Sequence, residues 1–326
     1  MPPAERNIAI DLLRVLCIGY IVGYWHLIPY TDWLPGYANT VTEAIKDIAL
    51  GTFVFSSGLL LARRDVHLHR KEVFDFYRRR VLRIYPLYLL ALLLFGAAGL
   101  ASPDVVLRGA LLISMFAPPA PPTLWFITMI VLFYLLTPLL IAAAHRAGHF
   151  LATVIGLYAA CLGYDAWVQP MDSRLFLFFP AFALGVYVQR VGNAHGFLHH
   201  RRLYLLALLI PAFFAGLPDE RGFDTLTSVL RAPLAMLGAA LCVVYAERWG
   251  GRLHSPFILL LSYASFGVYL FHRLVFEAAI ALYYPAEGFA QALYLLAVAV
   301  PASFVIAYAL QKLYDSGIAR LTGGRV

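Results

Sequence analysis

Leu124-Trp-Phe-Ile-Thr-Met-Ile-Val-Leu-Phe-Tyr-Leu-Leu-Thr-Pro-Leu-Leu-Ile-Ala-Ala-Ala144 runs for 21 residues without a charged side chain. As a helix rising 1.5 Å per residue it is about 31 Å long, the thickness of a bilayer's hydrocarbon layer. The rest of the 326-residue chain has the same character, with 62% hydrophobic and 13% charged residues and a mean hydropathy of +0.76. A soluble domain carries roughly 25% charged and 45–50% apolar residues, and does not leave so much apolar surface to cover. Comparable runs lie at 8–28, 44–62, 84–100, 150–168, 175–190, 203–216, 228–246, 257–281 and 291–313. The fold class that follows is all-α: a polytopic membrane bundle of about ten transmembrane helices, read as one membrane-embedded domain over 1–326.

Val105–Ala117 is too short to span comfortably, and the prolines at 118, 119, 121 and 122 stop it. Loop charge decides its place. Arg63, Arg64, Arg70, Lys71, Arg78, Arg79, Arg80 and Arg83 mark one loop as cytoplasmic, and 189–202, 247–252 and 318–325 are also net basic. Putting these loops and the N-terminus on the inside requires ten crossings and makes Val105–Ala117 a partial or re-entrant helix. The outward loops are short and hold acids, among them Asp32, Asp104, Asp172, Asp219 and Glu220. The expected location is the cytoplasmic (inner) membrane with both termini inside.

The net charge of +7 is accounted for by these loops, so no nucleic-acid partner is expected. Cys17, Cys161 and Cys242 sit in separate apolar segments with neither a disulfide framework nor ligand spacing. His67/His69 and His199/His200 lie in basic loops without neighbouring acids or cysteines at ligand spacing, so no metal site is expected. Met1–Asn7 is short and polar and does not read as the start of a cleavable signal. Oligomeric state leaves no mark on the sequence.

Ionisable groups inside spans cost roughly 2.5–3.5 kcal/mol each on insertion scales, so each is a functional candidate. In the first span Asp11 and Arg14 share a helical face and can neutralise each other. His26 follows roughly 18 Å further along the axis. It is either an interfacial residue or a base, but Tyr24 and Trp25 already supply the aromatic anchor. Gly51–Gly58 contains Ser56 and Ser57, yet no neighbouring base activates them, and small residues there suit close helix packing. Arg79, Arg80 and Arg83 stand at the mouth of the third span, where they serve either as topology anchors or as a phosphate clamp for a nucleotide or coenzyme A. Trp125 reads as a belt residue. Ser265, Tyr269 and His272 form one polar stripe, with His272 roughly 22 Å into its span, a depth like that of His26. This set leaves an enzyme, a proton-coupled transporter and an assembly subunit open, although no internal repeat favours the transporter.

Five motifs in order then resemble the acyltransferase 3 family of membrane acyltransferases. They are Ile10-Asp-Leu-Leu-Arg14 with His26, Phe53–Leu59, Arg80-Val-Leu-Arg83-Ile-Tyr-Pro86, Leu124-Trp-Phe126 and Ser262–His272. The resemblance implies a ten-helix bundle. It also implies transfer of an acyl group, usually acetyl, from acyl-coenzyme A to a hydroxyl of a cell-envelope or exported carbohydrate, presented free or on a lipid carrier. His26 matches the family's first-span histidine, Arg14 its companion, and Arg80 and Arg83 its Arg-x-x-Arg pair. Acyl-coenzyme A is then a donor substrate and no resident cofactor is implied; membrane lipid and the glycan acceptor are the other partners. Ser265 or Tyr269 is a candidate oxyanion donor, and His26 either a general base or a transient acyl carrier. The chain departs from the pattern at Ser56 and at Arg273, which follows His272, and it shows no fused extracytoplasmic esterase-like segment.

Overall fold

The structure is a computed structural model and describes residues 7–33, 36–217, 224–250 and 255–322. Asp219, Glu220, Arg252 and Arg325, which carry part of the loop reading, lie outside the described residues.

Helices α1 (Ile8–Gly23), α2 (Thr40–Leu61), α3 (Arg70–Ala97), α4 (Pro103–Ala110), α5 (Trp125–Ala143), α6 (Ala147–Trp167) and α7 (Arg174–Arg190) are followed by α8 (Ala194–His200) and α9 (Arg202–Ala215). α10 (Thr225–Trp249), α11 (Pro256–Leu282), α12 (Gly288–Tyr294) and α13 (Val300–Thr322) complete the chain. A 3-10 segment at Trp25–Tyr30 extends α1, and a π-helical turn at Leu295–Ala299 joins α12 to α13. No strand occurs among the described residues. Eight of these helical stretches are long and apolar enough to cross a membrane, α7 and α8 are a further pair bent by 109°, and α9 is a shorter apolar helix. Their outer faces carry large apolar side chains, such as Leu203, Ile210 and Phe214 on α9, which hydrocarbon rather than water can cover. The chain is a polytopic helical membrane protein.

The helices fall where the apolar runs predict, with three differences. α3 begins at Arg70, not near residue 84, because Arg70–Arg83 contains neither Gly nor Pro and is rich in good helix formers. The cationic stretch is therefore helix, not loop. Within Val105–Ala117 only the part up to Ala110 is helical. α4 opens with Pro103 after Ser102, whose hydroxyl accepts from the Val105 amide at 3.5 Å. Its last carbonyls are taken by α3: Tyr85 donates to Ala110 at 2.8 Å and Tyr88 to Gly109 at 2.9 Å. Arg108 donates to the Ala117 and Pro118 carbonyls, which folds the proline-rich stretch back over α4. Finally, α1 ends at Gly23, so the chain tightens into the 3-10 segment carrying His26 and Pro29.

The chain divides into two compact units, one formed by 1–49 with 242–326 and the other by 50–241. In the first, Asn7 caps α1 by accepting from the Ala9 and Ile10 amides, and Ser255 caps α11 ahead of Pro256. α11 packs against α13, where a Cβ on Gly267 would come within 3.1 Å of the Ala307 carbonyl. In the second, α2 and α7 touch backbone to backbone. A Cβ on Gly58 would lie 2.3 Å from the Phe182 carbonyl oxygen, and one on Gly185 2.2 Å from that of Phe55. The small residues of the second span are there for contact, and Ser56 is buried among them.

Candidate active site

α1 and α11 in the first unit are joined by polar contacts at two levels. At the lower level the Ser262 hydroxyl donates to the Asp11 carboxylate at 2.6 Å, and both residues are buried. Ser265 donates to the Ser262 carbonyl at 2.7 Å, which commits its only proton. Arg14, three residues beyond Asp11, is half-buried on the same helix. Ten residues further along α11, about 15 Å, the imidazoles of His26 and His272 meet. His26 Nδ1 is 2.7 Å from His272 Nε2, with the rings parallel to within 2° and their centroids 4.8 Å apart. The similar depths read from the sequence become a direct contact between residues 246 positions apart.

The protons of this pair follow from its neighbours. His272 Nδ1 lies 2.9 Å from the Val268 carbonyl and 3.1 Å from that of Tyr269. A carbonyl only accepts, so Nδ1 of His272 carries the hydrogen and its Nε2 keeps a lone pair. His26 must then donate from Nδ1 to that lone pair, and its own Nε2 is left as the basic nitrogen. His272 is fully buried, whereas His26 is half-buried. Phe276 and Tyr269 flank the His272 ring, and Tyr30 packs edge-on against Phe276. Lys46 stands 4.6 Å over the Trp25 ring and 3.5 Å from Asp47, and its charge, with that of Arg273, reaches His26.

The arginines lie in the second unit. Arg80 stands 5.0 Å over the Phe76 ring, and the charges of Arg64, Arg79 and Arg83 and the Tyr134 hydroxyl act on it. Arg79 has a buried Nε without a partner. None of Arg79, Arg80 and Arg83 forms a hydrogen bond or ion pair with a described residue, which leaves the cations available to an anion. Tyr77 on the same helix donates to the Leu135 carbonyl at 2.7 Å and fixes α3 on α5. Trp125 is not a lipid-facing anchor: Arg174 covers one side of it at 4.0 Å and Phe178 stacks at 6.1 Å. Arg174 in turn forks onto the buried Asp172.

Among the sequence candidates, His26, His272 and Tyr269 are brought together. Asp11 and Ser265 sit at the lower level with Ser262, and the arginines form a cluster of their own. Sequence reading passed over Lys46, an in-span lysine whose neighbour Asp47 was its only signal, and it noted Arg273 as nothing more than a departure.

A family model described as an acyltransferase domain matches residues 7–311. The chain belongs to that family. No curated protein and no solved structure matches it. The matched span of this membrane acyltransferase contains both levels of the α1–α11 contact and the arginine cluster. In unit two it also contains a cleft of about 240 Å³ lined by Asp65, His67, His145 and Arg190. There Arg190 bonds Asp65 and holds its carboxyl below the usual carboxylate range, a pair that fastens the α2–α3 loop to the end of α7.

Proposed function

We propose that this acyltransferase moves an acyl group, acetyl by family precedent, from cytoplasmic acyl-coenzyme A to a hydroxyl of an envelope or exported carbohydrate in the inner membrane. The observation that carries the reading is the histidine pair, whose hydrogen bonds leave the lone pair of His26 on Nε2. In the reaction Nε2 takes the proton of the acceptor hydroxyl as its oxygen attacks the thioester carbonyl. A new C–O bond forms, the C–S bond breaks, and coenzyme A leaves as thiolate, which the proton held on His26 can neutralise. No metal is required for so good a leaving group. As His26 becomes an imidazolium, its Nδ1–H bond to His272 turns charge-assisted and strengthens, so the pair stabilises the charge it creates.

Arg79, Arg80 and Arg83 are assigned to the phosphates of the donor, a role supported by their having no hydrogen-bond or ion-pair partner among the described residues. Tyr269, whose ring lies 6.3 Å from that of His272, is assigned to the oxyanion. Asp11 holds α1 against α11 through Ser262, ten residues or about 15 Å along α11 from the pair. In purified protein His26→Ala is expected to lose at least about 100-fold in acyl transfer at unchanged abundance. Retained transfer would remove His26 from the reaction.

A further inference from the structure

Arg273 follows His272 in α11. It is half-buried, its Nε is buried without a hydrogen-bond partner, and it forms no hydrogen bond or ion pair with any described residue. Arg108, Arg174 and Arg190 each hold an aspartate and Lys46 has Asp47 beside it, whereas Arg273, like the arginine cluster of α3, has no such partner among the described residues. One turn on, Glu277 could have neutralised Arg273, yet it faces the Tyr30 hydroxyl instead. The charge of Arg273 reaches Tyr30, His272 and His26. An unmatched guanidinium in an apolar span is costly to keep and is retained where an anion visits it.

The anion does not come from the usual donor. Acetyl is neutral, and the phosphates of coenzyme A are separated from the thioester by the pantetheine arm. We infer that Arg273 docks the acyl acceptor, and that the acceptor is an anionic carbohydrate, one whose carboxylate or phosphate binds the guanidinium while a neighbouring hydroxyl reaches His26. A planar guanidinium suits either oxyanion through paired N–H bonds. The carboxylate or phosphate is unchanged by the transfer; it orients the hydroxyl that loses its proton. A neutral sugar would leave the guanidinium without a partner. This inference rests on the reading that the acceptor meets His26.

The test needs no turnover, so its failure is distinguishable from that of the His26 assignment. The full-length protein in nanodiscs is treated with diethyl pyrocarbonate at fixed ionic strength, and labelling of the His26 peptide is followed by mass spectrometry. Glucuronate and glucose 6-phosphate should slow labelling at concentrations on the order of tenfold or more below those at which glucose does so. Arg273→Gln should erase the difference, and Arg273→Lys, which keeps the charge, should restore part of it. Equal protection by glucose, or anion protection that survives in R273Q, overturns the proposal. Succinyl-coenzyme A and acetyl-coenzyme A are compared as protectants in parallel. If R273Q weakens only the succinyl donor and leaves glucuronate untouched, the carboxylate belongs to the donor and the acceptor assignment fails.

Discussion

A neutral histidine can orient another only when its own proton is held elsewhere, and in this protein the carbonyls of Val268 and Tyr269 hold it. In the proposed mechanism His272 accepts from His26, much as a carboxylate does in hydrolase triads but without a formal charge. Replacing it by Phe removes the acceptor and keeps a ring in the space. A hydrogen bond to a charged group contributes about 1.5–3 kcal/mol, so H272F should lower kcat roughly 10- to 150-fold with the donor KM little moved. His272→Gln, whose amide can still accept, should keep more activity than H272F; steady-state kinetics of both variants decide the point, and equal rates would end the pairing argument. The arginines separate the other way. Double replacement of Arg80 and Arg83 by Gln should raise the acyl-coenzyme A KM by about tenfold or more while leaving kcat near its starting value. A donor series that is unchanged would return these arginines to the role of topology anchors.

Among the helices, the second and seventh show how a motif that looks catalytic is structural. Gly58 and Gly185 each face the other helix's backbone, which unlike a flexible side chain has no means of yielding. Gly58→Ala should therefore cost more than the 1–3 kcal/mol typical of overpacking, seen as a lower unfolding midpoint in detergent. Gly156→Ala on α6, where nothing lies within 4 Å, should be neutral or stabilising by up to about 1 kcal/mol. Similar midpoints for the two variants would contradict the close approach. The apolar runs were legible because span length is set by the bilayer, and the glycines were legible as packing residues. The start of α3 was not, since charge was taken as loop although Arg and Lys are good helix formers. Nor was the π turn at Leu295–Ala299: Leu-Leu-Ala-Val-Ala holds no breaker, and only packing, with Leu296 lying over Gly23, distinguishes it. At the site, matching depths for His26 and His272 could be estimated from rise per residue, but the contact and the hydrogen-bond direction needed the carbonyls of α11.

For the whole molecule the contacts between α1 and α11 settle a question of parity. Asp11 meets Ser262 near the start of both helices, and His26 meets His272 further along both, so the two helices run parallel and enter the membrane from the same side. An even number of crossings must then precede α11. α1, α2, α3, α5, α6, α7 and α10 give seven, and α4, eight residues long, is too short to cross. The missing crossing is expected at α9, the shorter apolar helix, whose 14 residues reach about 21 Å and would need local thinning of the bilayer or help from flanking residues. With α9 crossing, adding α11 and the α12–α13 stretch would give the ten crossings expected from the loop charges, with both termini on one side. After replacement of Cys17, Cys161 and Cys242, single cysteines at Asn193 and Leu217, either side of α9, should respond oppositely to a membrane-impermeant maleimide on intact cells. Labelling is expected at Leu217 and not at Asn193, whose neighbours Arg190, Arg201 and Arg202 favour the inside. If both label, or neither does, α9 lies along the membrane, and the parallel pairing that brings His26 onto His272 loses its support.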